Sequence, residues 1–172
     1  MKLFKIIPIS LLVAGTVSIT PLILAENKNS ESYKVLSSNN DNLSIKNVQL
    51  FLSEGDRLIK LGEFEKAKES YDKGRNLAKQ LAGFYRDLNG AFRGLDARIP
   101  REMDQKGRNS LSSWADANAR LVALYKRRNQ PEVAVPLLIE IIKLMSPSSS
   151  QGKAAYGDLK EMGFVETSFQ GF

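Results

Sequence analysis

The chain of 172 residues contains no cysteine and no histidine. Without cysteine there is no disulfide framework, no thiolate nucleophile and no thiolate-bound metal. The redox compartment stays open, because a cysteine-free protein suits any of them. Without histidine, the general base nearest neutral pH and the commonest transition-metal ligand are both missing. Ser-His-Asp triads, His-ligated zinc and His-mediated phosphoryl transfer fall together. No Gly-rich phosphate loop ending in Lys-Ser or Lys-Thr occurs, and no G-x-S-x-G turn. The acidic pairs Glu63/Glu65 and Glu102/Asp104 read as surface clusters. Only Glu140, in LLIEIIKL, is acidic and deep in an apolar run. A helical hydrolase would need that carboxyl in an apolar pocket with a raised pKa, and the helical phase equally turns it outward. The expectation is a protein that is not an enzyme and needs no cofactor or metal.

What is present is ordinary globular material: 42% hydrophobic and 26% charged residues, enough to bury a core. The formal charge of +6 is mildly basic. It permits anionic partners without the focused basic face that nucleic acid requires.

The chain opens with Lys2 and Lys5, then runs without charge from Ile6 to Ala25, with Pro21 before the small residue Ala25 and polar Glu26-Asn27 after it. This is the layout of a secretory signal peptide over residues 1–25. An uncleaved N-terminal anchor is the alternative, since 20 apolar residues are about enough to span a bilayer as a helix. Either way the rest of the chain is expected outside the cytoplasm: in a periplasm or a thylakoid lumen, soluble or N-terminally anchored. Residues 26–44, rich in Asn and Ser, read as a flexible linker.

From 45 to 147 the pattern is helical and lacks strand-like alternation. A first helix is expected over 45–61, with Ser44 as N-cap and Val48, Phe51, Leu52, Leu58 and Ile59 on one face, ended by Gly62. The stretch KLGEFEKAKESYDKGRNLAK, 60–79, follows with Ala67, Tyr71, Gly74 and Ala78 turned inward. It resembles the second half of a tetratricopeptide repeat, a helix hairpin that recurs every 34 residues. In that register Gly55 falls at the close crossing, Leu58 and Tyr71 in large slots, Ala67 and Gly74 in small ones. Glu54 stands where Leu is usual, and Lys79 where Pro is frequent. A second match lies in 117–147, with Leu121, Tyr125 and Leu138 in large slots, Ala134 in a small one, and Pro131 at a helix start. Asn118 and Val122 depart from the pattern. Between them a degenerate middle unit is expected over 82–114. Its large slots are Tyr85, Leu88 and Phe92, and in its second helix only Met103, Leu111 and Trp114 offer an apolar side.

A rival periodicity runs from Ala67 through Tyr71, Gly74, Ala78, Leu81, Tyr85, Leu88, Phe92 and Leu95 to Ile99 at spacings of four and three. It describes one long helix over 64–99 ended by Pro100. Residues 148–172 are expected to form a capping helix, with Gly163 as its C-cap, and a loose tail.

The resemblance implies an all-α array of TPR-like antiparallel hairpins. Such an array is a protein-interaction scaffold that assists the assembly or stability of a complex. The first helices of successive units would line a groove, here Leu52, Asp56, Ile59 and Lys60, then Gly83, Arg86, Gly90, Arg93 and Gly94, then Asp116, Ala119, Ala123, Lys126 and Arg127. The cations Lys60, Arg86, Arg93, Lys126 and Arg127 become the candidate partner-binding residues, suited to an acidic peptide segment. Arg86 and Arg93 could equally be solvated or paired with Asp87 and Asp96. The Lys/Asn carboxylate clamp of the family's chaperone-binding members is not reproduced, so their specificity is not implied. Nucleic acid is not expected. The other reading is a small helical subunit of a membrane-associated complex that uses the heptad face as a permanent interface.

Overall fold

The structure is a computed structural model that describes residues 42–169. The expected signal peptide and nearly all of the linker lie outside the described residues. Those described form five helices: α1 Ile45–Lys60, α2 Phe64–Phe92, α3 Arg98–Arg127, α4 Pro131–Met145 and α5 Ser150–Glu161. The protein is all-α over this range.

The helix ends follow local chemistry. Ser44 Oγ accepts a hydrogen bond from Asn47 N at 3.2 Å and caps α1. Ser149 does the same for α5, accepting from Gly152 N at 2.9 Å. Gly62, Asn129 and Gly163 each adopt positive φ just past α1, α3 and α5. In each case the next residue's N–H reaches back to a carbonyl of the last turn: Glu63 to Leu58, Gln130 to Tyr125, Phe164 to Leu159. These are Schellman closures.

The centre of the molecule is a long antiparallel pair. Arg128, just past α3, meets Glu65 of α2 at 2.6 Å, and Asn89 meets Pro100 O and Asp104 at the other end. At 29 residues α2 is about 44 Å long. The repeat register calls for a turn between Lys79 and Ala82, and there is none. Leu77-Ala78-Lys79-Gln80-Leu81-Ala82 are mostly strong helix formers, and Lys79 replaces the proline that would stop the helix. The expected second helix of the first unit and first helix of the middle unit are thus fused, as are their counterparts in α3. The rival boundary at Ile99 differs too. The helix ends at Phe92, Gly94 turns the chain at φ 86°, and Pro100 sits in the first turn of α3, where its missing N–H is no loss.

α1 lies antiparallel on the first half of α2. Gly55 faces the Tyr71 ring so closely that an added Cβ would collide with it. Gly74 faces Leu52 and Phe51, which a Cβ would approach to 3.1 and 3.3 Å. Ala67, Ala78, Ala117 and Ala134 are wholly buried. α4 returns along the second half of α3 and α5 packs on α4. Gln151 to Asp116 and Lys126 to Asp158 and Glu161 tie α5 alongside α3. The tail is not wholly loose: Tyr156 Oη donates to Thr167 O at 2.9 Å and its ring meets Phe169 edge-on.

α1 and α4 flank only one half of the central pair. Val48, Leu52, Tyr71, Leu121, Leu138 and Ile141 form the core there. Beyond Tyr85, which is half-buried against the core, the next seam residues are bare: Leu88 is 45% exposed, Phe92 36% and Leu95 78%. Leu88 and Phe92, expected to fill large inward slots, face outward, because α1 has already ended where they would need a partner.

The glycines separate by cause. Gly55 is required by packing, whereas an added Cβ at Gly83 of α2 meets nothing within 4 Å. Gly55→Ala should destabilise the fold by about 1 kcal/mol or more, because overpacking against a hydrogen-bonded tyrosine outweighs the helix-propensity gain. Gly83→Ala should stabilise it by about 0.5–1 kcal/mol. Urea unfolding followed by far-ultraviolet circular dichroism measures both; shifts of the same sign would contradict this assignment of cause.

Candidate functional site: a cationic cleft between the central helices

On the outer half of the pair, α2 and α3 part to leave a cleft of about 510 Å³. Its inner surface is apolar: Met103 and Ala82 are buried, and Tyr85, Leu111 and Trp114 are half-buried. Its rim is cationic: Lys79, Arg86, Arg93 and Arg108, all exposed. One carboxylate, Asp104, shares the lining and accepts a hydrogen bond from the buried Asn89 amide at 2.6 Å. Arg86 pairs with Asp87 at 3.1 Å, with both side chains largely in water, an arrangement that contributes little. Arg93 reaches only Asn89 Oδ1, at 3.4 Å, and Asp96 pairs instead with Arg98. Among the described residues, Lys79, Arg93 and Arg108 make no ion pair. Lys79 Nζ stands 5.3 Å from the centre of the Trp114 ring, a cation–π distance.

The sequence-derived cations are therefore divided. Arg86 and Arg93 share this cleft. Lys60 closes α1, on the far side of the core. Lys126 is engaged by Asp158 and Glu161 of α5 at 3.1 and 3.0 Å, and Arg127 lies at the same end, its charge acting on Tyr71. Leu52, assigned to the groove by register, is core. Lys79 and Arg108 are not among the groove residues that the repeat register selects. Helix-face arithmetic could have found Lys79, seven residues before Arg86; the part played by Arg108 depends on the α2–α3 pairing, which the repeat register places differently.

Two polar assemblies tie the helices together, and the first reaches the cleft through Trp114. Glu140 of α4 accepts from Arg75 of α2 at 2.6 Å, and from Asn118 and Trp114 of α3 at 2.8 and 3.2 Å. Asn118, wholly buried where the repeat pattern wants a large apolar residue, is explained by this bond. Burial raises the Glu140 pKa. The hydrogen bonds from Arg75 and Asn118, the Arg75 charge and the Trp114 bond together outweigh it, so the carboxyl is held below its ordinary value. That direction is opposite to what a general acid at this position would need. Near α1, Asp56 accepts from Tyr71 Oη at 2.7 Å and from Arg120 Nε at 3.1 Å. Burial, and then the Asp56 hydrogen bond and charge, push the Tyr71 phenol well above its usual range.

No group of three or more Asp or Glu among the described residues is arranged to hold a metal ion. No helix among them is long and apolar enough to cross a membrane. No family model matches the chain, and no curated protein or solved structure is significantly similar to it.

A lowered folded-state pKa at Glu140 contributes stability that is present above its ordinary value of 4.5 and is lost as pH falls through the folded value. Wild type should therefore be more stable than Glu140→Gln at pH 7, and the gap should close as the pH falls below 4.5. Thermal melts of both proteins across that range check the sign; a gap that stays constant to pH 3 would show that the carboxylate charge contributes nothing.

Proposed function

We propose that this protein is an exported, TPR-like interaction scaffold that captures an acidic peptide segment of a partner protein, and thereby assists the assembly or stability of a complex. The observation that carries this is the cleft: three cations without ion-pair partners, two of them arginines, over an apolar lining between two long helices. The first hairpin supports the TPR-like character. Gly55 against Tyr71, and the buried Ala67 and Gly74, occupy the slots the repeat assigns to a close crossing. The charge layout of residues 1–25 supports export.

A second reading, a helical subunit held permanently in a membrane-associated complex, is favoured by a different observation. Phe84 and Leu88 on the outer face of α2, and Leu95 in the turn after it, are exposed with no helix over them among the described residues, Leu43 alone bordering Phe84 and Leu88.

Titration of a labelled glutamate-rich peptide by fluorescence anisotropy tests the first reading. Arg86→Glu/Arg93→Glu should weaken binding about tenfold or more, while Lys143→Glu/Lys153→Glu, with the same change in net charge, should not. Equal loss in both would reduce the effect to overall charge. Purified wild type that stays monomeric and folded without a partner favours the scaffold; obligate aggregation favours the subunit.

A further inference from the structure

Gly83 and Gly107 line the cleft from α2 and α3, and close packing among the described residues requires neither. Both have helical neighbours on either side and no positive φ. An added Cβ would meet nothing at Gly83 and only an ordinary contact, Tyr85 Cβ at 3.8 Å, at Gly107. Gly55, Gly74 and Gly152 are the contrast, each with a neighbour that a Cβ would crowd. Glycine within a helix is destabilising relative to alanine; Gly90 and Gly157 are as uncrowded, but Gly83 and Gly107 border this cleft, where the missing side chains leave its space open among the described residues. The space they keep has an apolar bottom, with Met103, Leu111 and Trp114, inside a rim of cations.

We infer that the cleft takes an acidic peptide which inserts one large apolar side chain between carboxylates, the side chain entering over Gly83 and Gly107 and the carboxylates meeting Arg86, Arg93 and Arg108. This rests on the acidic-peptide reading above and narrows it from charge to a pattern: acidic, apolar, acidic. The volume is within the range of small-ligand sites and exceeds what one salt bridge needs. A stacked nucleobase fits less well. Lys79 stands over the Trp114 ring and Lys106 over the Tyr85 ring, the two aromatic surfaces of the cleft, and Asp104 would oppose a phosphate.

The chain has a single tryptophan, and it is in this cleft, so its emission reports occupancy directly. Two peptides are titrated, Glu-rich with a central Leu and the same with a central Ala, with a single-stranded oligonucleotide beside them. The Leu peptide should bind about tenfold or more tighter than the Ala peptide and shift Trp114 emission, as burial of one leucine side chain requires. Gly83→Leu and Gly107→Leu fill the space without changing charge. Each should erase the Leu-over-Ala preference and leave weak, salt-sensitive binding, with circular dichroism verifying the fold. Equal affinity of wild type for the two peptides, both weakened by Arg86→Glu/Arg93→Glu, would overturn the apolar anchor and leave the acidic-peptide reading standing. No binding of either peptide would overturn both. Tighter binding of the oligonucleotide than of either peptide would overturn the inference in favour of a nucleic-acid ligand. The preference in wild type decides the matter even if a glycine variant fails to fold.

Discussion

One carboxylate organises this molecule. Glu140 Oε2 takes hydrogen bonds from three side chains on two other helices, and through them joins α4 to both members of the central pair. A half-buried carboxylate is costly unless it is paired and bonded, so these partners form a set in which each constrains the others. Asn118 gives up an apolar slot to serve it. Trp114 is held by its indole N–H, and the plane of its ring is presented to Lys79 and to the cleft. The orientation of the candidate site is thus fixed from the far side of α3 by a residue that does not line it. Asp56 plays the matching part under α1, joining Tyr71 to Arg120 and holding the ring on which the Gly55 crossing depends.

Much of the local structure is legible in the sequence because it is written in short-range chemistry. Ser44, Gly62, Pro131 and Gly163 act at the helix ends where their conformational preferences put them. The burial of Ala67, Tyr71, Ala134 and Leu138 follows from helical period. What the sequence conceals is where one helix stops and the next begins. The stretch from Leu77 to Ala82 has no breaker, and the 34-residue register argues for a turn that the residues themselves do not encode. Periodicity is equally blind to length. Leu88 and Phe92 continue the inward face of α2 in perfect phase, yet they are exposed, because α1 is too short to reach them. Phase says which side a residue is on, and only the tertiary partner decides whether that side is inside.

The site shows the same division. Arg86 and Arg93 lie on one face at a spacing of seven and can be paired from sequence alone. Their partner Arg108, and the apolar bottom made by Met103, Leu111 and Trp114, join them only through the antiparallel alignment of α2 with α3. Arg108, charged where the second helix of the middle repeat would carry an apolar or small residue, is one of the residues that border the cleft. At that residue, departure from the repeat pattern and the edge of the cavity coincide.

The unequal helix lengths also divide the molecule mechanically. Among the described residues the outer turns of α2 and α3 are supported mainly by each other, with Leu43 beside Leu81, Phe84 and Leu88; two glycines lie in the outer turns of α2 and one in those of α3, and the connection at Gly94 is their far end. In such an arm, turns with fewer buried apolar contacts open at lower free energy than a packed core does. A guest of the kind inferred above would link the two helices where they are least supported, and its binding would raise the stability of these turns more than that of the core, so that the cleft would act as a local clasp.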